Sequence, residues 1–564
     1  MAAWGLNAGR FLPPTFFWAT TALAALALVP RVADAWARPL GAIGDAIADA
    51  PAAHGATALC AALLVAALPD RTWWIGDFQI RAGAAQVLEA FAGNFQGAMP
   101  LDHWMHGVIA GPLGALFGGD PTIVARIYGA IDAGALAAFA VMLARIVNAR
   151  GAAALMTVTI VVAGGYLTTF TGLGKPASEM CVVTAAVGVL GAAAARDRRA
   201  RLGLGVAFAA GLLIHRSAVL LVPAWAAAWI IGARAPSAAA PAPSRARTLL
   251  ALAIPLVAAA SVGGRIASLI AGYDVPHHLM TDAVGRSGGV LAAALDPLRL
   301  ADIGSMLVVL SPAFVALPIL AFARGAFADR PEAAVLGTLA LSTVPVWLLV
   351  QPQQGVFRDW DVFAPSGVAV ALYTAYGLAI VLERAPAAPR LAAATIAVVF
   401  TATLGWLVLA HDADRGLARV RAWLTEPPPR PEPLRAGGWD FLAGRALRLG
   451  RFAVSADAAG RAATLAPHRR TLLTWGIAES MARDDAAAER AYRTLLARDP
   501  RDPLAWLGLG GAAIRSGDST EARRALGVLG RYAPGGPEAR EIQRHLAYFP
   551  DVWPGALPAN LAGP

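Results

Sequence analysis

Residues 391–410 read LAAATIAVVFTATLGWLVLA, an uncharged apolar run of the length that crosses a bilayer as a helix. Directly after it the chain changes to HDADRGLARVRAW, residues 411–423, and stays rich in Arg, Asp and Glu. That junction decides the fold. It separates an apolar body from a polar tail, each needing its own solvent. Upstream, apolar runs alternate with short polar loops. They give twelve candidate spans near 15–30, 54–69, 122–144, 152–172, 178–195, 202–214, 217–233, 248–270, 303–323, 333–350, 362–382 and 391–410. The sixth and seventh are short and read equally well as one element broken at His215 and Arg216. Charged residues make up 15% of the chain, against roughly 25% in a soluble globular protein, and the shortfall lies before residue 411. The expected fold is all-α: a polytopic helical membrane domain over 1–411 with about 10–12 spans, a linker over 412–433, and a helical repeat domain over 434–564.

The formal charge of +10 would suit a nucleic-acid partner, but the distribution of arginine argues against one. Many arginines stand in short loops between apolar runs, where they orient a membrane protein. One set of alternate loops holds Arg31 and Arg38; Arg145 and Arg150; Arg196, Arg198, Arg199 and Arg201; Arg234, Arg245 and Arg247; Arg324 and Arg330; and Arg384 and Arg390. The other set is longer and holds about half as many, so the positive-inside rule assigns the first set to the cytoplasm. The second set and the tail then face the exterior. Cys60 and Cys181 fall inside predicted spans and form no metal or redox motif. Phe16 to Val29 lacks a clear signal-peptide cleavage site and is read as a span.

The polar clusters segregate with the arginine-poor loops. These hold Trp73-Trp74-Ile75-Gly76-Asp77, the Lys175 loop, His215-Arg216, His277-His278 and Arg358-Asp359-Trp360-Asp361. Asp77 is placed to take a proton from a weak nucleophile or to cap the helix that follows. Asp102, His103 and His106 offer a second acid or a metal ligand, or simply a solvated helix start. Lys175 is the only lysine in the chain and lies near Glu179. Its compact charge suits a phosphate on a lipid carrier. His277 and His278, with Asp282 one turn on, are the candidate ligands of a divalent metal, without a well-spaced third partner. Asp359 and Asp361 repel each other unless a cation such as Arg358 is near.

The loop between the second and third spans runs Gly76-Asp77, then Pro100-Leu101-Asp102-His103, then Leu116-Phe117-Gly118. This order resembles the first exterior loop of the GT-C glycosyltransferase superfamily. The resemblance implies a bacterial cytoplasmic-membrane enzyme that moves a sugar from a polyprenyl-phosphate donor to an acceptor glycan or protein. It puts the acid–base role on Asp77. Donor binding is expected of Lys175, His215, Arg216, Arg358, Asp359, Asp361, Asp102 and His103. Phe78 stands where the protein mannosyltransferase branch carries an acidic residue. The stretch Arg358 to Phe363 looks like one in bacterial GT-C-like proteins that also bear repeat tails. Two other functions fit the same architecture: a surface-polysaccharide ligase or polymerase, and a scaffold that recruits partners.

In the tail, Pro467, Pro500 and Pro534 recur at tetratricopeptide spacing. Trp506, Gly510, Ala513, Ala522, Leu526 and Leu529 fit that pattern, as do Leu472, Trp475, Gly476, Ala488, Tyr492 and Leu495 one repeat earlier. Such repeats stack helix pairs and bind a peptide or protein partner. The run Pro427 to Pro433 is expected to be extended.

Overall fold

The computed structural model describes residues 1–548 except 2, 77–80, 82–92, 94, 120, 171–175, 235–243, 280–287, 384, 386, 533 and 534. Among the described residues there are helices and turns and no strand. The chain divides into two compact units, Met1–Gly416 and Leu417–Pro564.

The first unit contains α1 (Pro14–Ala27), α2 (Pro30–Asp49), α3 (Pro51–Ala67), α4 (Pro121–Ile146), α5 (Gly151–Val162), α6 (Ala177–Arg196) and α7 (Arg201–Ile214). It continues through α8 (Val222–Arg234), α9 (Arg245–Leu269), α10 (Pro297–Leu310), α11 (Leu317–Phe322), α12 (Pro331–Leu349), α13 (Ala364–Glu383) and α14 (Ala388–His411). Proline opens α1, α2, α3, α10 and α12. Its missing N–H costs nothing in a first turn, where that group has no helical partner. Each of the twelve predicted spans coincides with a helix or helix pair. Among the described residues, seven helices are long and apolar enough to cross a membrane, or up to nine if the bent pairs α1–α2 and Pro297–Leu310 with Pro312–Phe322 each count as one span. The helices at 51–67 and 151–162 are shorter.

Helix α6 packs against α4, α7, α8, α12 and α13. It is therefore buried on nearly every side, which is why its sequence is apolar all round rather than striped. Glycine lets several helices meet backbone to backbone. A Cβ at Gly129 of α4 would overlap the Phe170 carbonyl, and one at Gly44 of α2 the Gly151 carbonyl. Gly205 of α7 and Gly232 of α8 face the carbonyls of Ala251 and Ala194 in the same way.

Helix α2 falls in a region read from sequence as a loop. Its charged residues Arg31, Asp34, Arg38, Asp45 and Asp49 are exposed, and Ala33, Ala37, Gly44 and Ile47 are buried. The helix packs on α5 and α14 and is bent by 94° from α1.

Side-chain ties gather the arginine-rich junctions. Arg150 pairs with Asp49, Arg196 with Glu332 and Arg330 with Glu383. Arg198 donates to the Gly232 and Ala233 carbonyls, and Arg247 to that of Arg199. The opposite helix ends are tied separately. His411 meets the Pro69 carbonyl, Gly76 donates to the Arg358 carbonyl, and Arg265 donates to those of Gln96 and Ala98.

The second unit contains α15 (Ala413–Thr425, which begins in the first), α16 (Glu432–Arg448), α17 (Phe452–Leu465), α18 (Arg469–Ala482), α19 (Asp485–Leu496), α20 (Pro503–Ser516), α21 (Ser519–Tyr532) and α22 (Pro537–Tyr548). Residues 413–425 were expected as linker. They fold as a helix because Leu417, Val420 and Leu424 recur at helical spacing and are buried. From α16 onward, each helix packs on the next, and from α17 onward they share a core that includes Leu472, Tyr492, Trp506, Leu509, Leu526 and Leu529. Asp484 and Asp502 cap α19 and α20, and Gly517 ends α20 in the left-handed conformation.

Candidate functional site

The end of the first unit opposite its arginine-rich junctions carries a buried chain of charged groups. Pro100 starts a short helix, Pro100–His103, that passes into a π-helical turn, Trp104–Ile109. Turns of this kind concentrate at functional sites. They bring Asp102 and His106 to the same side. Arg81 grips Asp102 with two parallel hydrogen bonds of 3.1 Å, and its guanidinium lies 4.6 Å from the Phe95 ring centre. His106 Nδ1 is 2.8 Å from Asp102 Oδ1, and its Nε2 is 3.1 Å from Glu179 Oε1 on α6. Ser178 donates to the other Glu179 oxygen at 3.1 Å. From α4, Tyr128 meets the His106 ring edge-on at 5.5 Å and donates to the Met105 carbonyl. Asp132, one turn further along α4, lies beside Ser178 and Glu179.

Arg81, Asp102, His106 and Glu179 are all buried. Burial alone would raise the Asp102 carboxyl, but the His106 hydrogen bond and the Arg81 charge hold it well below the usual carboxylate range. Burial likewise opposes charge on His106. The Glu179 carboxylate and then Asp102 outweigh it and raise the imidazole to about 9.

A second cluster joins residues far apart in sequence. Arg216 forms a forked ion pair with Asp274, at 2.6 and 2.7 Å, beside the Tyr273 ring. Tyr273 stacks on His277 at 4.5 Å and meets His278 edge-on. His215 turns inward to its own chain, accepting from the Ser217 N–H at 3.2 Å. A third cluster surrounds Arg358, whose guanidinium lies 5.3 Å from the Trp74 ring centre. Trp74 donates to the Phe357 carbonyl, and Asp359 accepts from the Gln354 N–H. Asp359, Trp360 and Asp361 are buried. Trp360 thus packs inside the bundle. Nearby, Trp4 fills a pocket beside Phe357 and Trp406 and donates to Asp302 at 2.9 Å.

Asp77, Lys175 and Asp282 lie outside the described residues. Of the other predicted site residues, Asp102 joins His106, Arg216 joins His277 and His278, and Arg358 joins Asp359. His103 is half-buried beside Asp102 in the short helix. Among the described residues, no three His, Cys, Asp or Glu side chains are grouped to hold a metal ion. Arg81, Asp132 and Ser178 were missed in the sequence, and Glu179 was noted only as a neighbour of Lys175. Asp132 and Glu179 could have been found as acids inside apolar runs, where an ionisable group needs a purpose.

In the second unit the helices pair, Trp506 is buried, and Gly476 and Gly508 pack on the Tyr492 ring. Residues 482–546 match the tetratricopeptide repeat family. Repeats of this family commonly mediate contacts between proteins. No curated protein and no solved structure is detectably similar to the chain.

Proposed function

We propose that the first unit is a polytopic membrane glycosyltransferase. It moves a sugar from a polyprenyl-phosphate donor to an acceptor at the outer face of a bacterial cytoplasmic membrane, and the repeat unit engages a protein partner on that side. One observation carries the reading. Gly76, the residue before Asp77, hydrogen-bonds the Arg358 carbonyl, and Arg358 faces Trp74. A stretch bearing an acid–base candidate and a stretch bearing a phosphate-binding candidate therefore meet, although they are far apart in sequence. In this scheme Asp77 accepts the acceptor's proton, and Arg358 and Lys175 hold the donor phosphate. The repeat match also favours a scaffold, but a scaffold has no use for a buried acid–base chain in its membrane unit.

The test is Asp77→Asn, assayed against a panel of polyprenyl-phosphate sugars. Asn can still cap a helix but cannot accept the proton, so transfer should fall by about 10²–10⁴-fold with folding preserved. Transfer within a few-fold of the parent would remove Asp77 from the mechanism. Lys175→Arg should weaken donor binding with little change in thermal stability, because the flat fork replaces a compact charge. Equal donor affinity would count against the phosphate role.

A further inference from the structure

A neutral imidazole carries one ring proton and can donate to one acceptor. His106 has a carboxylate oxygen at each nitrogen, so both nitrogens must be protonated for both contacts to be favourable. We propose that charged His106 is a releasable clasp, fastening the Trp104–Ile109 turn to α6 through Glu179 and letting go when the ring loses its second proton.

The groups around the ring determine which link breaks. Asp102, on the same segment, is held by Arg81. Helix α6 presents Glu179 and Ser178, and α4 presents Tyr128 and Asp132. Helix α7 packs against Pro100–His103, and its last turns, from Phe208 to Ile214, are apolar. Deprotonation leaves the carboxyl groups of Asp102, Glu179 and Asp132 near a neutral ring. The contact to Asp102 is the shorter, 2.8 Å against 3.1 Å, and lies within one segment that Arg81 holds, so the ring keeps its remaining proton there and the Glu179 contact sets a lone pair against a carboxylate. Among the described residues, Trp104 and Val108 of the turn are exposed, and Tyr128 of α4 donates to its Met105 carbonyl.

A nitroxide spin label on Trp104→Cys, in the full chain with Cys60→Ser and Cys181→Ala, reads this motion without chemistry that itself varies with pH. In lipid nanodiscs the label should be immobile at pH 7. Its mobile-to-immobile ratio should rise about tenfold per pH unit, as expected for one proton, with a midpoint near the His106 value of about 9. Adding His106→Gln should leave the label mobile at pH 7 and abolish the step. Glu179→Gln keeps the shape but removes the charge, and should move the midpoint down by about one pH unit or more. That variant decides the matter if His106→Gln does not fold. An immobile label from pH 7 to 10 in the parent, a persisting step in His106→Gln, or an unmoved midpoint in Glu179→Gln would each overturn the clasp.

Discussion

His106 and Asp102 make opposite contributions to stability as pH changes. The imidazole is raised from 6.5 to about 9 on folding. Its contribution is therefore fully present below 6.5 and is lost as pH rises through 9. Asp102 is lowered from 3.8, so its contribution is present above 3.8 and is lost as pH falls through the folded value. The unfolding temperature of the first unit should exceed that of His106→Gln at pH 6, and the gap should close by pH 10. At about 1.4 kcal/mol per pKa unit, the gap corresponds to something on the order of 3 kcal/mol. A gap that does not change with pH would mean the ring is merely packed. Part of this site was legible in the chain, because Asp102 and His106 are four residues apart and a helix brings such residues together. Arg81 was not, since no local pattern announces a partner about twenty residues away, and Glu179 stands out as an acid in an apolar run without any sign of which residue it meets.

Hydropathy finds elements that are apolar all round and misses those that are polar on one side. All twelve predicted spans fell on helices, because α6, α13 and their neighbours have little charge to obscure them. Helix α2 escaped because Arg31, Arg38 and Asp45 break its apolar run while sharing one face. The N-terminal segment was unreadable for another reason. Trp4 precedes any periodic pattern, and its place beside Phe357 and Trp406 is set by distant residues. Trp4→Ala empties that pocket and removes a donor from Asp302. It should destabilise the first unit by about 3–5 kcal/mol, read as a lowered unfolding temperature in detergent. A change within error would mean that the segment is held elsewhere.

At the scale of the whole chain, two cores imply two unfolding events. Removing residues 434–564 should leave a first unit that extracts as a monodisperse species, since stacked repeats lean mainly on their neighbours. An aggregated or unfolded remainder would show that the units share a core. The proposed orientation has its own test. A periplasm-active reporter should work when fused after Pro564 and fail at Arg199, and the reverse pattern would invert the topology. The change from an apolar body to a polar tail was legible because the composition itself shifts after residue 410. The inner packing was not, and its glycines carry a genetic consequence. Alanine is a single nucleotide change away from glycine in every codon and fills much of this chain, yet at Gly44, Gly129, Gly205 and Gly232 a methyl group would strike a neighbouring backbone carbonyl. In a saturation-mutagenesis map scored for folded protein, these positions should reject alanine as firmly as they reject leucine, while Gly55, Gly111 and Gly263, which face open space, should accept it.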